Sequence, residues 1–102
     1  MFDNPIMTAR ISLSNSKALY HLGELSDAID CVDEGIELFQ DLGDKFQLAN
    51  LFILKANILI DKKKLKKVEK CLDKAKKYIR KLTDPNLTAN YESTLKKYES
   101  LI

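Results

Sequence analysis

Residues 17–39 read KALYHLGELSDAIDCVDEGIELF, and residues 57–79 read NILIDKKKLKKVEKCLDKAKKYI. Set forty residues apart, the two stretches fall into register: Leu19 meets Leu59, Leu25 meets Leu65, Cys31 meets Cys71, and Asp33 meets Asp73. Conservative matches fill the gaps, with Ala28 against Val68, Val32 against Leu72, Gly35 against Ala75 and Phe39 against Ile79. The same shift aligns Ala9, Ala49 and Ala89, then Leu13 with Ile53, Ser16 with Ala56, and Leu42 with Leu82. A fixed period of this kind marks stacked supersecondary units, each too small to bury its apolar face alone.

Each period divides into two helices. The first runs from about Pro5 to Leu22 and stops at Gly23, a residue suited to a left-handed cap. The second carries Leu25, Ala28, Ile29, Val32, Gly35, Ile36, Phe39 and Leu42 at helical spacing and stops at Gly43. The next pair covers about Lys45–Lys62 and Leu65–Leu82, and a fifth helix spans about Pro85–Leu101. Asn4-Pro5 recurs as Asp84-Pro85, with Asp44 midway between them. Asn and Asp accept bonds from the orphan N–H groups of a helix start, and Pro suits the next position. Connections of two or three residues force antiparallel neighbours. The expected fold is all-α, two stacked helical hairpins plus a last helix: repeat one 4–43, repeat two 44–83, and a C-terminal helix 84–102.

One domain is all that 102 residues allow, and 45% apolar content excludes a disordered tail. The first ten residues hold Asp3 and Arg10 and no long apolar run, so no secretory leader is expected. Leu51–Ile60 is the most apolar stretch, but Lys55 and Asn57 interrupt it and it is too short to span a bilayer. Cys31 and Cys71 form no disulfide framework and read as thiols in a reducing cytoplasm.

The first of the quoted stretches resembles a tetratricopeptide repeat. Ser16, Leu19, Gly23, Leu25, Ala28, Val32 and Gly35 fall at that motif's spacing, as do Ala56, Leu59, Leu65, Val68, Leu72 and Ala75. The chain departs from the motif in lacking the early tryptophan and the closing proline, and in a period of forty rather than thirty-four. The resemblance implies a right-handed α-solenoid that binds peptides or proteins and catalyses nothing. Longer, degenerate repeats of this kind are similar to those of the peptide-pheromone-sensing transcription regulators of Gram-positive bacteria, the PlcR-like group. That likeness implies a cytoplasmic quorum-sensing role, a homodimer, and a DNA-binding helix-turn-helix ahead of the repeats.

The concave side of such an array is lined by the first helix of each pair. In the forty-residue register Arg10, Asn50 and Asn90 are equivalent, and so are Lys17, Asn57 and Lys97. Within each first helix the two positions lie seven apart, on one face. Leu13, Tyr20, Ile53, Leu54, Ile60 and Thr94 fall near it. Asn offers donors and acceptors to both backbone groups of an extended peptide, and the cations suit a carboxylate. The expected ligand-binding residues are therefore Arg10, Leu13, Lys17, Tyr20, Asn50, Ile53, Asn57, Asn90 and Lys97. Asn57 stands out because it interrupts an apolar stretch. The plainer alternative is that these side chains merely solvate an outer face.

No feature calls for catalysis, a metal or a cofactor. His21 is the single histidine, CxxC and HExxH spacings are absent, and Gly23, Gly35 and Gly43 read as a turn, a close-packing point and a cap.

Charge is sorted along the chain. From Glu24 to Asp44 there are eight acidic residues and no Lys or Arg; from Lys62 to Lys81 there are eleven Lys or Arg and two acidic residues. The basic block invites a nucleic-acid reading, but Leu65, Val68, Leu72, Ala75 and Ile79 keep one face for the core, so direct nucleic-acid binding is not expected. The acidic helix is expected to pack beside the basic one and partly satisfy it, within the chain or between two chains. Self-association as a homodimer is expected as well, either through those blocks or through apolar ends at Ile6, Met7 and Ile11 and at Tyr91, Leu95, Tyr98, Leu101 and Ile102. An oligomerisation unit with no ligand is the alternative function, and a nucleic-acid-binding helical domain using the basic helix 62–81 is a weaker one.

Overall fold

The computed structural model describes residues 4–102. Its helices are α1 (Pro5–His21), α2 (Leu25–Leu42), α3 (Lys45–Asp61), α4 (Leu65–Ile79) and α5 (Pro85–Glu99), with no strand among the described residues. Helices begin at residues 5, 25, 45, 65 and 85, so one starts every twenty residues and each hairpin repeats after forty. The leader reading rests partly on Asp3, which lies outside the described residues.

Local chemistry sets this spacing. Asn4 Oδ1 accepts from the Ile6 and Met7 N–H groups at 3.1 and 3.2 Å, Asp44 Oδ1 from Gln47 at 3.1 Å, and Asp84 Oδ1 from Leu87 at 3.0 Å. Three of the turns share one design. Glu24 N–H donates to Leu19 O while Gly23 N–H donates to Tyr20 O; Asp44 and Gly43 repeat the pair on Phe39 and Gln40, and Lys64 and Lys63 repeat it on Leu59 and Ile60. These nested bonds satisfy the last helical carbonyls and need a left-handed residue at the turn. Gly23 and Gly43 supply it with φ of 80° and 70°; Lys63 does so at 61°, the only non-glycine with positive φ among the described residues.

The end of α4 differs from expectation. It stops at Ile79 instead of reaching Leu82, and Lys81 and Leu82 donate to Tyr78 and Ile79 in tighter turns. No glycine stands there, and Asp84 must turn out of the helix before Pro85, which disfavours helical backbone in the residue before it.

Packing forms two layers. α3 is central: it touches α1, α2, α4 and α5, while α2 and α4 share no backbone contact. The thinnest extent is 20 Å, about two helix diameters. Small residues bring α1 and α2 together: Ala9 and Ser16 are fully buried and Ser12 nearly so. A Cβ on Gly35 would lie 3.2 Å from Leu51 Cδ1 and 3.7 Å from Ser12 Cβ, so the bare glycine marks the closest approach of α2 to its neighbours. One cluster gathers Val32, Phe39, Leu51, Ile58 and Leu87; a second gathers Leu59, Val68 and Leu72; Ile29 and Tyr91 pack against both.

Three expectations on packing need correction. The repeated apolar positions predict burial of Leu19, Leu25, Ala28, Val32, Leu59, Leu65, Val68 and Leu72; Leu19, Leu25 and Leu65 are only half-buried, because α1 has one close neighbour and the two others begin their helices at an open edge. Tyr91, Leu95 and Tyr98 do not form a bare end, since they pack on the second cluster, whereas Leu101 and Ile102, like Ile6, Met7 and Ile11, are exposed as expected. The acidic and basic helices do not satisfy each other within the chain, because α3 lies between them. Lys55 with Asp33, at 2.6 Å, is the one ion pair among the described residues, and it joins α3 to α2.

Candidate functional site

A groove of about 530 Å³ runs across α1, α3 and α5. Each first helix presents the same face to it, because the three start at equivalent points of the repeat. Lys17 and Tyr20 come from α1, Asn50, Ile53 and Asn57 from α3, and Asn90 and Lys97 from α5. Seven of the nine expected residues are thus brought together. Arg10 does not line the groove, and Leu13 is buried in the core against α2. The register put both on the right helical side, but α1 barely touches α3, so its first half lies off the groove. Ile60, also expected near this face, is buried in the second cluster.

His21, Leu54, Ser93 and Thr94 complete the lining. His21 and Ser93 were missed by the sequence reading. Ser93 is the forty-residue equivalent of Ile53, so the register contained the signal for it. His21 lies four residues after Lys17, on the same helical face.

Asn57 proves to be a structural bridge. Its Nδ2 donates to Ile53 O at 3.2 Å and to Thr94 Oγ1 at 3.0 Å, while Lys97 Nζ donates to its Oδ1 at 3.4 Å. Thr94 Oγ1 in turn donates to Asn90 O at 3.1 Å. Both amide hydrogens of Asn57 are therefore spent, one on a carbonyl of its own helix and one on holding α5 against α3. Asn50 Nδ2 donates to Gln47 Oε1 at 3.3 Å, one turn back on its own helix. Asn90 is exposed on the wall of the groove.

The charges here are one-sided. Lys17 and Lys97 line the groove, and no carboxylate does. Near one end, burial first and the neighbouring Asp61 carboxylate second raise the Tyr20 phenol above its ordinary 10.0. The Tyr20 and His21 rings are 5.7 Å apart, tilted by 49°. The floor is apolar where Ile53 and Leu54 reach it. Such a trough can lie along an extended chain, offer amides to its backbone and hold an anionic group at either lysine.

No helix among the described residues is long and apolar enough to cross a membrane. Comparison with family models, with curated proteins and with solved structures gives no match for this chain.

Proposed function

We propose that this chain is a non-catalytic peptide- or protein-binding module of the tetratricopeptide type, holding an extended segment across α1, α3 and α5. The observation that carries this reading is the groove itself. Three successive first helices place amides and lysines around an apolar floor, with no carboxylate among the lining residues. Its ligand is a segment carrying negative charge, a terminal carboxylate or an acidic side chain. A role as the sensing part of a cytoplasmic peptide-responsive regulator of the PlcR-like group is a narrower proposal, supported by the forty-residue repeat and the two free thiols.

The test is a titration of immobilised peptide libraries, each peptide present as the free acid and as the amide. Asn90→Ala and Lys97→Ala are expected to weaken binding on the order of tenfold, the cost of one hydrogen bond to a charged or polar ligand group. Free acids or acidic peptides should bind better than their neutral counterparts. Asn57→Ala is the poorer variant, because it also removes the bridge to Thr94. Equal binding by wild type and both variants would overturn the assignment of this groove.

A further inference from the structure

Under the forty-residue shift the surface of α2 changes sign. Glu24 corresponds to Lys64, Asp27 to Lys67, Asp30 to Lys70, Glu34 to Lys74, Glu37 to Lys77 and Asp41 to Lys81, and all twelve are exposed. Two acidic positions of that block keep their sign, and each has a local partner. Asp33, equivalent to Asp73, pairs with Lys55, and Asp44, equivalent to Asp84, caps a helix. At these six positions the second repeat is therefore a charge-reversed copy of the first. Among the twelve side chains Glu34 also accepts from Ser12 Oγ at 3.4 Å, and none is in an ion pair with another of the described residues.

α2 and α4 border one face of the molecule, on either side of α3. Gln40 of α2 and Lys74 and Tyr78 of α4 line one notch with Phe52 of α3. Lys62, in the turn before α4, donates to Ser26 Oγ at 2.8 Å. Tyr78 stacks on Phe52 with ring centres 6.1 Å apart, and Lys74 lies 5.5 Å above the same ring. The groove of α1, α3 and α5 is built from none of the α2 or α4 side chains.

We infer that this face binds a second copy of the chain. A two-fold axis along the helix direction, between α2 and α4, sets repeat one of each copy over repeat two of the other. Residues forty apart stand at the same height in their helices, so Glu37 of one copy meets Lys77 of the second, and Asp30 meets Lys70. Both seams are complementary. The perpendicular two-fold in the same plane would set acid on acid and base on base, and like charges opposed across an interface are costly. The charge pattern thus selects a single occupant and a single arrangement. An extended polyanion fits less well, because the acidic rail of α2 runs beside the basic one. The inference does not depend on peptide binding, since the peptide groove is elsewhere.

Sedimentation of the whole chain tests it, with circular dichroism as a check on folding. Wild type is expected to be a dimer at about 0.01 M salt, where the screening length is about 30 Å, and a monomer at about 1 M, where it is about 3 Å. Asp30→Lys with Glu37→Lys, and separately Lys70→Glu with Lys77→Glu, should each be monomeric at low salt. Mixed one to one, the two variants should form a heterodimer, because each seam then pairs opposite charges again. Both monomeric variants should still bind any peptide captured by the groove. A wild type monomeric at low salt, a dimer that survives high salt, variants that dimerise alone, or a mixture that stays monomeric would each overturn the proposal. A monomeric wild type that bound single-stranded DNA would assign the basic rail to phosphate instead.

Discussion

Cys71 illustrates how burial fixes chemistry one side chain at a time. It is 6% exposed, and burial raises its thiol above the ordinary 9.0, only partly opposed by the nearby Lys55 and Lys74 ammonium groups. Cys31 is raised too, first by burial and then by Glu34, Asp27 and Asp30 around it. Tyr20 and Tyr91 are held above 10.0, again chiefly by burial. All four groups therefore keep their protons longer in the folded chain than in the unfolded one. Their contribution to stability is complete below the unfolded values and is lost as pH rises through the folded ones. The melting temperature should be flat from about pH 7 to about pH 8, then fall above about 9 and further above about 10, where the unfolded thiols and phenols ionise first. Thermal melts followed by circular dichroism check this, and an unchanged melting temperature up to about pH 11 would contradict it.

Among the elements, equivalent positions carry unequal energies. Leu59 and Leu19 occupy the same place in successive first helices, yet Leu59 is 3% exposed while Leu19 is half-buried. The difference comes from company, since α3 is surrounded by four helices and α1 leans mainly on α2. Leu59→Ala should cost about 2–5 kcal/mol, the usual price of a large-to-small change in a packed core. Leu19→Ala should cost about 1–2 kcal/mol, in proportion to the smaller area it removes from water. Urea midpoints for both variants check the ordering, and equal losses would show that the two helices are packed alike. The contrast also marks how far the sequence can be read. Asn4, Asp44, Asp84, Gly23 and Gly43 made the helix boundaries legible, because caps act within one turn of chain. Spacing placed Lys17, Asn57 and Lys97 on one face for the same reason. It could not count neighbours, so Leu19, Leu25 and Leu65 were expected deeper than they lie. Nor could it show that Asn57 spends its amide on Thr94, or that α3 keeps α2 from α4, because those contacts join residues far apart in the chain.

Taken whole, the molecule should unravel from its flanks. Contacts run between successive helices and converge on α3, and in a linear array stability is a sum of such neighbour terms. Leu51 and Ile58 of α3 are fully buried, whereas Ile6, Met7 and Ile11 of α1 are more than half exposed. Amide hydrogen exchange should therefore be slowest in α3 and fastest in the first turns of α1, with α5 closer to α1 than to α3. Uniform protection across the five helices would instead mean a single cooperative unit. The aspartate caps carry one more consequence. Gly43 is followed by Asp44 and Thr83 by Asp84, so the block 44–83 opens with the same residue that follows it. A gene segment encoding that block can be copied in tandem, and the new junction would read Thr-Asp, as the old one does. Recombination between the repeats would then add or remove a hairpin without inventing a joint, and the length of the ladder of amides could drift by whole steps over generations.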